Sequence, residues 1–108
     1  MNIEEKYPIK WKGYNIRVEF STYAIDNSTA IKLMSWDEEY HTEMPFAVAT
    51  VYAEGAELAE DEVVIKNYSE NEGIYELLLR NDIIHKSHAK IPLGFTEGLI
   101  CQLKDKEE

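Results

Sequence analysis

The 108-residue sequence has one cysteine, and it has no apolar run as long as a membrane-spanning helix. A single cysteine cannot build an intrachain disulfide framework, which fits a reducing compartment. A membrane span would need about 18 or more consecutive apolar residues. Residues 1–10 also lack the basic, apolar and small-residue order of a secretory signal. We therefore expect a cytoplasmic protein without a membrane segment.

The motifs of common enzymes are missing as well. The sequence has no glycine-rich phosphate loop and no Gly-x-Ser-x-Gly elbow. Cys101 stands in an alternating apolar run, where a buried, unreactive thiol is expected rather than a nucleophile. His85 and His88 would share a metal only on a helix, because on a strand their rings point to opposite faces. We therefore expect no catalytic residue, no metal site and no cofactor, and we expect His41 in a solvated acidic loop.

Apolar residues alternate with polar ones in residues 7–11 and again in residues 14–20. This period of two is typical of half-buried strands, and the Lys12-Gly13 step between the runs fits a two-residue hairpin turn. Such a turn sets one register, which places apolar pairs on one face. The predicted pairs are Trp11 with Tyr14, Ile9 with Ile16 and Tyr7 with Val18.

A short helix is predicted at about residues 70–80. Ser69 and Glu72 have the spacing of a capping box, in which each side chain bonds the other residue's backbone N–H. Apolar residues at 74, 77 and 78 form one buried stripe, and Asn81 fits a helix end. Gly73 is a poor helix residue and would allow another segment to approach closely. A helix of about three turns is not stable alone, so it must pack on a sheet.

Further strands are predicted at residues 29–36, 63–66 and 98–103, with an extended or turning segment at 91–95. Residues 46–53 are apolar on both faces and are expected to be the central strand. Polar connectors are expected on both sides of it, at 37–45 and 54–62. The chain is therefore predicted to be one α+β domain, residues 1–108, with a mainly antiparallel sheet of five to seven strands and one short helix (about 70–80) packed on one face.

Residues 60–73 carry the most distinctive run of the sequence, with residues 67–73 at its centre. Other notable runs are Lys12-Gly13-Tyr14, Val18-Glu19-Phe20, 45–51, Gly94-Phe95 and Ile100-Cys101. Together they resemble a family of small, uncharacterised acidic proteins with a domain of unknown function, found in gut Firmicutes and Bacteroidetes and on their plasmids, conjugative elements and phages. The resemblance implies a fold and a mobile-element context, and it supplies no catalytic residue. Residues 67–73 also have the composition of a strand-to-helix junction, and we expect that structural role ahead of a recognition role.

Charge is distributed unevenly along the chain. The formal net charge is −10, from 21 acidic and 11 basic residues. Residues 37–62 hold nine acids and no Lys or Arg, whereas the rest of the chain holds 12 acids and 11 bases. Such a segment either keeps the protein soluble and protects sheet edges, or presents a negative surface to a basic partner. The nine candidate partner-binding residues are Asp37, Glu38, Glu39, Glu43, Glu54, Glu57, Glu60, Asp61 and Glu62.

This charge disfavours direct nucleic-acid binding, although aromatic residues of the first strands could stack on bases. The first functional hypothesis is therefore a non-enzymatic acidic interaction protein with a basic protein partner. Such a protein, encoded on a mobile element or phage, could occupy the basic nucleic-acid-binding surface of a host defence or regulatory protein. The alternative is a small-ligand-binding domain with a pocket between sheet and helix. An enzyme is the third and least supported hypothesis.

Overall fold

Seven strands in two antiparallel sheets, together with short helices, make up the fold in residues 2–25, 27–53 and 56–104, which the computed structural model describes. The predicted α+β class with mainly antiparallel strands is thereby confirmed. The first sheet has the order β1-β2-β3-β4 and the second has the order β5-β7-β6. In chain order the elements are α1 (Ile3–Lys6), β1 (Ile9–Trp11), β2 (Tyr14–Thr22), β3 (Thr29–Asp37), β4 (Thr42–Val48), β5 (Glu62–Ile65), a 3-10 turn (Ser69–Asn71), α2 (Ile74–Arg80), β6 (Ala89–Leu93) and β7 (Thr96–Gln102).

The β1–β2 hairpin has the predicted turn and the predicted register. Lys12 and Gly13 form the turn with φ angles of 53° and 83°, as a two-residue hairpin of this type requires. Tyr7 does not extend β1, because it ends α1 instead, so the outermost predicted pair is not formed. The two predicted pairs that are present are Ile9 with Ile16 and Trp11 with Tyr14.

The prediction of one central strand at residues 46–53 is wrong. β4 ends at Val48 and lies at an edge of the first sheet. Its register shifts opposite Leu33 and Met34, so the consecutive residues Phe46 and Ala47 both pack against the core. A bulge therefore explains why this apolar run lacks alternation. The same pattern had predicted a strand covered on both faces.

Residues 49–51 join the two sheets. Ala49 donates its N–H to the carbonyl of Ile31 in β3 at 2.8 Å, and its own carbonyl accepts the N–H of Lys66 at 2.8 Å. Val51 then donates to the carbonyl of Val64 in β5 at 3.0 Å. The segment thus hydrogen-bonds to both sheets, and it is this short stretch, rather than a long strand, that occupies the centre.

The predicted capping box at Ser69 and Glu72 is also wrong. Ser69 has a positive φ of 56° and begins the 3-10 turn, and the N–H of Glu72 bonds the backbone carbonyl of Ser69 at 3.1 Å. The chain then passes through Gly73, with a φ of 96°, before α2 begins at Ile74. A left-handed residue at this point separates the two helical segments, which is why a continuous helix from residue 70 does not form.

Asn67 supplies the helix cap from a position further upstream. Its Oδ1 accepts the N–H of Gly73 at 3.2 Å and the N–H of Tyr75 at 2.9 Å, which satisfies two donors at the start of α2. The ring of Trp11 lies 3.8 Å from the point where a Cβ on Gly73 would stand. This is an ordinary contact distance that would leave room for a Cβ, so the positive φ of Gly73, and not the close approach expected from the sequence, favours glycine here.

A single buried apolar cluster connects both sheets and α2. The helix contributes Ile74, Leu77 and Leu78, the stripe expected from the sequence, and all three are fully buried. Burying a side chain of this size contributes about 1.5–3 kcal/mol. The same cluster contains Ala49 of the segment between the sheets and these sheet residues: Ile16, Ile31, Leu33, Val63, Ile65 and Cys101.

Candidate functional site

The structure divides the acidic segment between the two sheets. The acids from Asp37 to Glu43 lie where β3 turns into β4, at one end of the first sheet. The acids from Glu60 to Glu62 lead into β5 of the second sheet. The acidic residues therefore lie on two surfaces, one on each sheet, and not in two loops at the ends of a single strand.

Glu43 belongs to a hydrogen-bonded network on the face of the first sheet opposite the core. Its carboxylate accepts two hydrogen bonds from the guanidinium of Arg17, one of them at 2.7 Å, and a third from the Tyr7 hydroxyl at 2.8 Å. The guanidinium also donates to Glu19 at 2.8 Å. The hydrogen bonds from Arg17 lower the pKa of Glu43 to about 2. Glu43 thus fastens Tyr7, and with it the end of α1, to the sheet.

Asp61 and Glu62 are also engaged within the fold. Asp61 Oδ2 accepts a hydrogen bond from Gln102 Nε2 at 2.6 Å. Glu62 Oε1 accepts the N–H of Ala59 at 2.9 Å, and its Oε2 lies 2.9 Å from His88 Nε2. These contacts hold the start of β5 against its neighbours. Glu43, Asp61 and Glu62 therefore serve contacts inside the molecule, as Asp37 also does in the turn between β3 and β4.

Residues 37–41, which we call the acidic turn, join β3 to β4. Asp37 Oδ1 accepts the N–H groups of Glu39 and Tyr40 at 2.9 and 3.3 Å, a side-chain bond that holds such a turn in shape. Glu38 and Glu39 are exposed, and Tyr40 exposes 71% of its surface. The acidic turn thus presents two carboxylates beside a projecting aromatic ring, while Asp37 keeps the backbone in place.

The remaining candidates lie on the segment before β5. Glu57 and Glu60 are exposed there, whereas Glu54 is outside the described residues. Within the described part of the chain, no ion pair includes Glu57, Glu60 or the two glutamates of the acidic turn. Four of the nine candidates therefore present their charge to solvent, two on each surface.

In the part of the chain that the structure describes, Cys101 and the histidines do not form a catalytic cluster. Burial raises the pKa of the Cys101 thiol to about 11, so the residue is protonated near neutral pH. His85 and His41 are exposed, and His88 contacts Glu62. Among the described residues, no three His, Cys, Asp or Glu side chains stand close enough to hold a metal ion. None of these residues has the setting of an activated nucleophile.

Residues 67–73, the most specific run of the resemblance, form a junction between the sheets. Asn71 is buried, and its Nδ2 donates to the carbonyl of Val48 at 2.7 Å, at the end of β4. Lys12 Nζ, at the tip of the first hairpin, donates to the carbonyl of Glu70 at 3.1 Å. With Asn67 capping α2, these contacts support the structural role that the composition of this run suggests.

Two exposed aromatic residues at hairpin tips are absent from the candidates chosen by sequence. They are Tyr40 in the acidic turn and Phe95 in the β6–β7 turn, which is completely exposed. Alternation assigns aromatic residues to buried faces and carries no information about turn tips. The sequence signal that could have located such a residue is an aromatic residue directly beside a turn-forming residue, as in Gly94-Phe95. Exposed aromatic residues are frequent anchors of protein interfaces.

Neither the sequence nor the fold matches a protein-family model, a curated protein or a solved structure. The resemblance to proteins of mobile elements therefore stays a prediction. In the described residues, no helix is long and apolar enough to cross a membrane. A fold alone does not define a function, which depends on the chemistry of particular sites.

Proposed function

We propose that this chain is a non-enzymatic interaction protein whose acidic turn docks on a basic surface of a partner protein. The observation that carries the proposal is the geometry of the turn, in which Asp37 holds the backbone while Glu38, Glu39 and Tyr40 are exposed. Tyrosine is one of the commonest anchors at protein interfaces. Carboxylates around such an anchor favour a basic partner and speed its association.

Proteins that bind nucleic acids contact the phosphates through basic surfaces. The proposed partner is therefore a nucleic-acid-binding host protein, of the defence or regulatory class, whose basic groove the acidic turn occupies. The chain does not bind nucleic acid itself under this proposal, because its net charge of −10 repels phosphate. A cytoplasmic location and an origin on a mobile element or phage belong to the same proposal, and their support is the sequence.

Competition with nucleic acid tests the proposal. The immobilised chain captures candidates from the heparin-binding fraction of a host lysate. Each captured protein is then purified and bound to labelled DNA, and this chain is added in increasing amount. We expect displacement of the DNA by the unmodified chain, and a clear loss of displacement with Glu38→Gln combined with Glu39→Gln, or with Tyr40→Ser.

A matched control separates local docking from net charge. Glu72→Gln combined with Glu76→Gln removes the same two charges from exposed residues near α2. Displacement by the unmodified chain and by this control, but not by the acidic-turn variants, supports the proposal. An equal loss of displacement in this control and in the acidic-turn glutamine variant would show that total charge alone is responsible. Equal displacement by all of the variants, or failure to displace DNA from any captured protein, contradicts the proposal.

A further inference from the structure

A cavity of about 420 Å³ is lined by residues that follow β2, by the start of β3 and by residues 51–53 and 56–58. Its volume falls in the range of small-ligand sites, roughly 300–1,000 Å³. Two loops supply its lining, so it differs from the pocket between sheet and helix that the sequence suggested. The polar residues of the lining are Tyr23, Tyr52, Ser28, Thr29 and Glu57.

Two tyrosine rings border this cavity, and one of them is fixed by the core. The hydroxyl groups of Tyr23 and Thr50 are hydrogen-bonded at 2.9 Å. Thr50 is buried, and its Oγ1 also accepts the N–H of Ile31 at 3.2 Å. The rings of Tyr23 and Tyr52 are inclined at 55° with centroids 6.2 Å apart. The cavity therefore has two aromatic π systems within one small volume.

The charge around the cavity is negative. Among the described residues that line it, Glu57 is the one carboxylate and none is basic. Lys66, which lines the adjoining hollow, donates to the carboxylate of Glu70 at 2.9 Å, so its charge is compensated. Tyrosine faces attract cations, and a carboxylate forms strong hydrogen bonds with an ammonium group.

We propose that this cavity binds the ammonium group of a primary amine. The aromatic walls take the alkyl part and the charge, Glu57 accepts from the ammonium, and Ser28 and Thr29 belong to the same lining. The same chemistry fits a free small amine and the side chain of a lysine in a peptide chain. The proposal does not depend on the acidic turn, which lies on the first sheet's β3–β4 connection.

A titration followed by NMR tests the ligand class. The probe is n-butylammonium, and n-butanol serves as an uncharged molecule of similar size. We expect saturable shifts for n-butylammonium at residues 23, 52 and 57, and no saturable shifts for n-butanol. The blocked tripeptide acetyl-Gly-Lys-Gly-amide, whose one ammonium group is on the lysine side chain, is titrated in parallel. Tighter binding of the tripeptide points to a partner lysine, and tighter binding of n-butylammonium points to a free amine.

Variants locate the binding. Glu57→Gln should weaken n-butylammonium binding about fivefold, because it removes the carboxylate. Glu60→Gln is the matched control, since it removes the same charge from a nearby exposed residue that does not line the cavity. This control should change the affinity less than about twofold. Tyr52→Leu should weaken binding by a similar factor to Glu57→Gln, whereas Tyr52→Phe, which keeps the ring, should retain it.

Two results overturn the proposal. One is binding of n-butanol as strong as that of n-butylammonium, which would make the cavity merely apolar. The other is an equal loss of affinity in Glu57→Gln and Glu60→Gln, which would make the effect one of diffuse charge. If Tyr52→Leu fails to give a cooperative melting curve, Glu57→Gln still decides, because Glu57 is exposed and outside the buried core.

Discussion

Replacing Glu43 by Gln should destabilise the protein although it removes one charge from a chain that is already strongly acidic. The carboxylate of Glu43 receives hydrogen bonds from Arg17 and from the Tyr7 hydroxyl. Glutamine has nearly the same shape, but it cannot offer a negative charge to the guanidinium. The variant therefore leaves a partly buried Arg17 with a much weaker partner.

The size of the loss follows from the pKa of Glu43. The hydrogen bonds from Arg17, followed by the one from Tyr7, lower that pKa from 4.5 to about 2. A difference of this size corresponds to at most about 3 kcal/mol at neutral pH. The side chains of Arg17 and Glu43 are 32% and 29% exposed, so screening by solvent reduces the effect. We expect Glu43→Gln to lower the free energy of unfolding by about 1–2 kcal/mol near pH 7.

The dependence on pH has a defined sign. The folded-state pKa of Glu43 lies below its ordinary value, so the stabilisation is complete above about pH 4.5 and is lost as the pH falls toward about 2. Glutamine does not titrate. The difference in unfolding free energy between the unmodified chain and the variant should therefore be constant from pH 7 down to about pH 5 and shrink steadily below it.

Urea titrations followed by circular dichroism near pH 7, 5 and 3 measure this difference. Glu39→Gln is the control, because it removes the same charge from the exposed acidic turn. That control should leave stability unchanged or raise it slightly, since like charges repel. If Glu43→Gln matches the unmodified chain at neutral pH, or if its deficit persists unchanged at pH 3, the ion pair does not stabilise the fold as argued.

Three further predictions concern the helix cap, a tight glycine and the cysteine. Asn67→Ala should lower the free energy of unfolding in a urea titration by about 1–2 kcal/mol, and Ser69→Ala should lower it by less than about 0.5 kcal/mol. A larger loss for Ser69→Ala than for Asn67→Ala would instead support a capping box at Ser69. Gly98→Ala should cost at least about 1–3 kcal/mol by the same assay, because the new Cβ would collide with Val64 Cγ1. Cys101 should react with a thiol reagent only after denaturant is added, and rapid reaction in native buffer would contradict its burial and raised pKa.

Local patterns predicted the turn of the first hairpin and two of its three apolar pairs, and they predicted the helix only in part. The hairpin depends on alternation and on a two-residue turn, both of which are read from neighbouring residues. The helix start depends on the backbone at Ser69 and Gly73, whose positive φ angles break the helical path. The cap itself comes from Asn67, six residues before the Gly73 N–H that it accepts, which lies outside the spacing of any capping box.

The acidic segment was located by counting charges, but its roles required the fold. Glu43 pairs with Arg17, which is 26 residues away in the sequence, and this contact exists only because β3 lies between the two strands that carry them. The bulge in β4 likewise placed Phe46 and Ala47 on the core, where alternation predicts opposite faces. Contacts across strands cannot be inferred from composition, so counting charges could not separate engaged acids from exposed ones.

The central claim is that the acidic turn docks on a basic partner. Its most direct test is the dissociation constant of the complex with a captured partner, measured at about 50 mM and about 500 mM salt. Glu38→Gln combined with Glu39→Gln should bind about tenfold or more weakly at low salt, and the difference should nearly vanish at high salt, where exposed charges are screened. The control with Glu72→Gln and Glu76→Gln should stay close to the unmodified chain. An acidic-turn variant with the affinity and the salt dependence of the unmodified chain would contradict the claim.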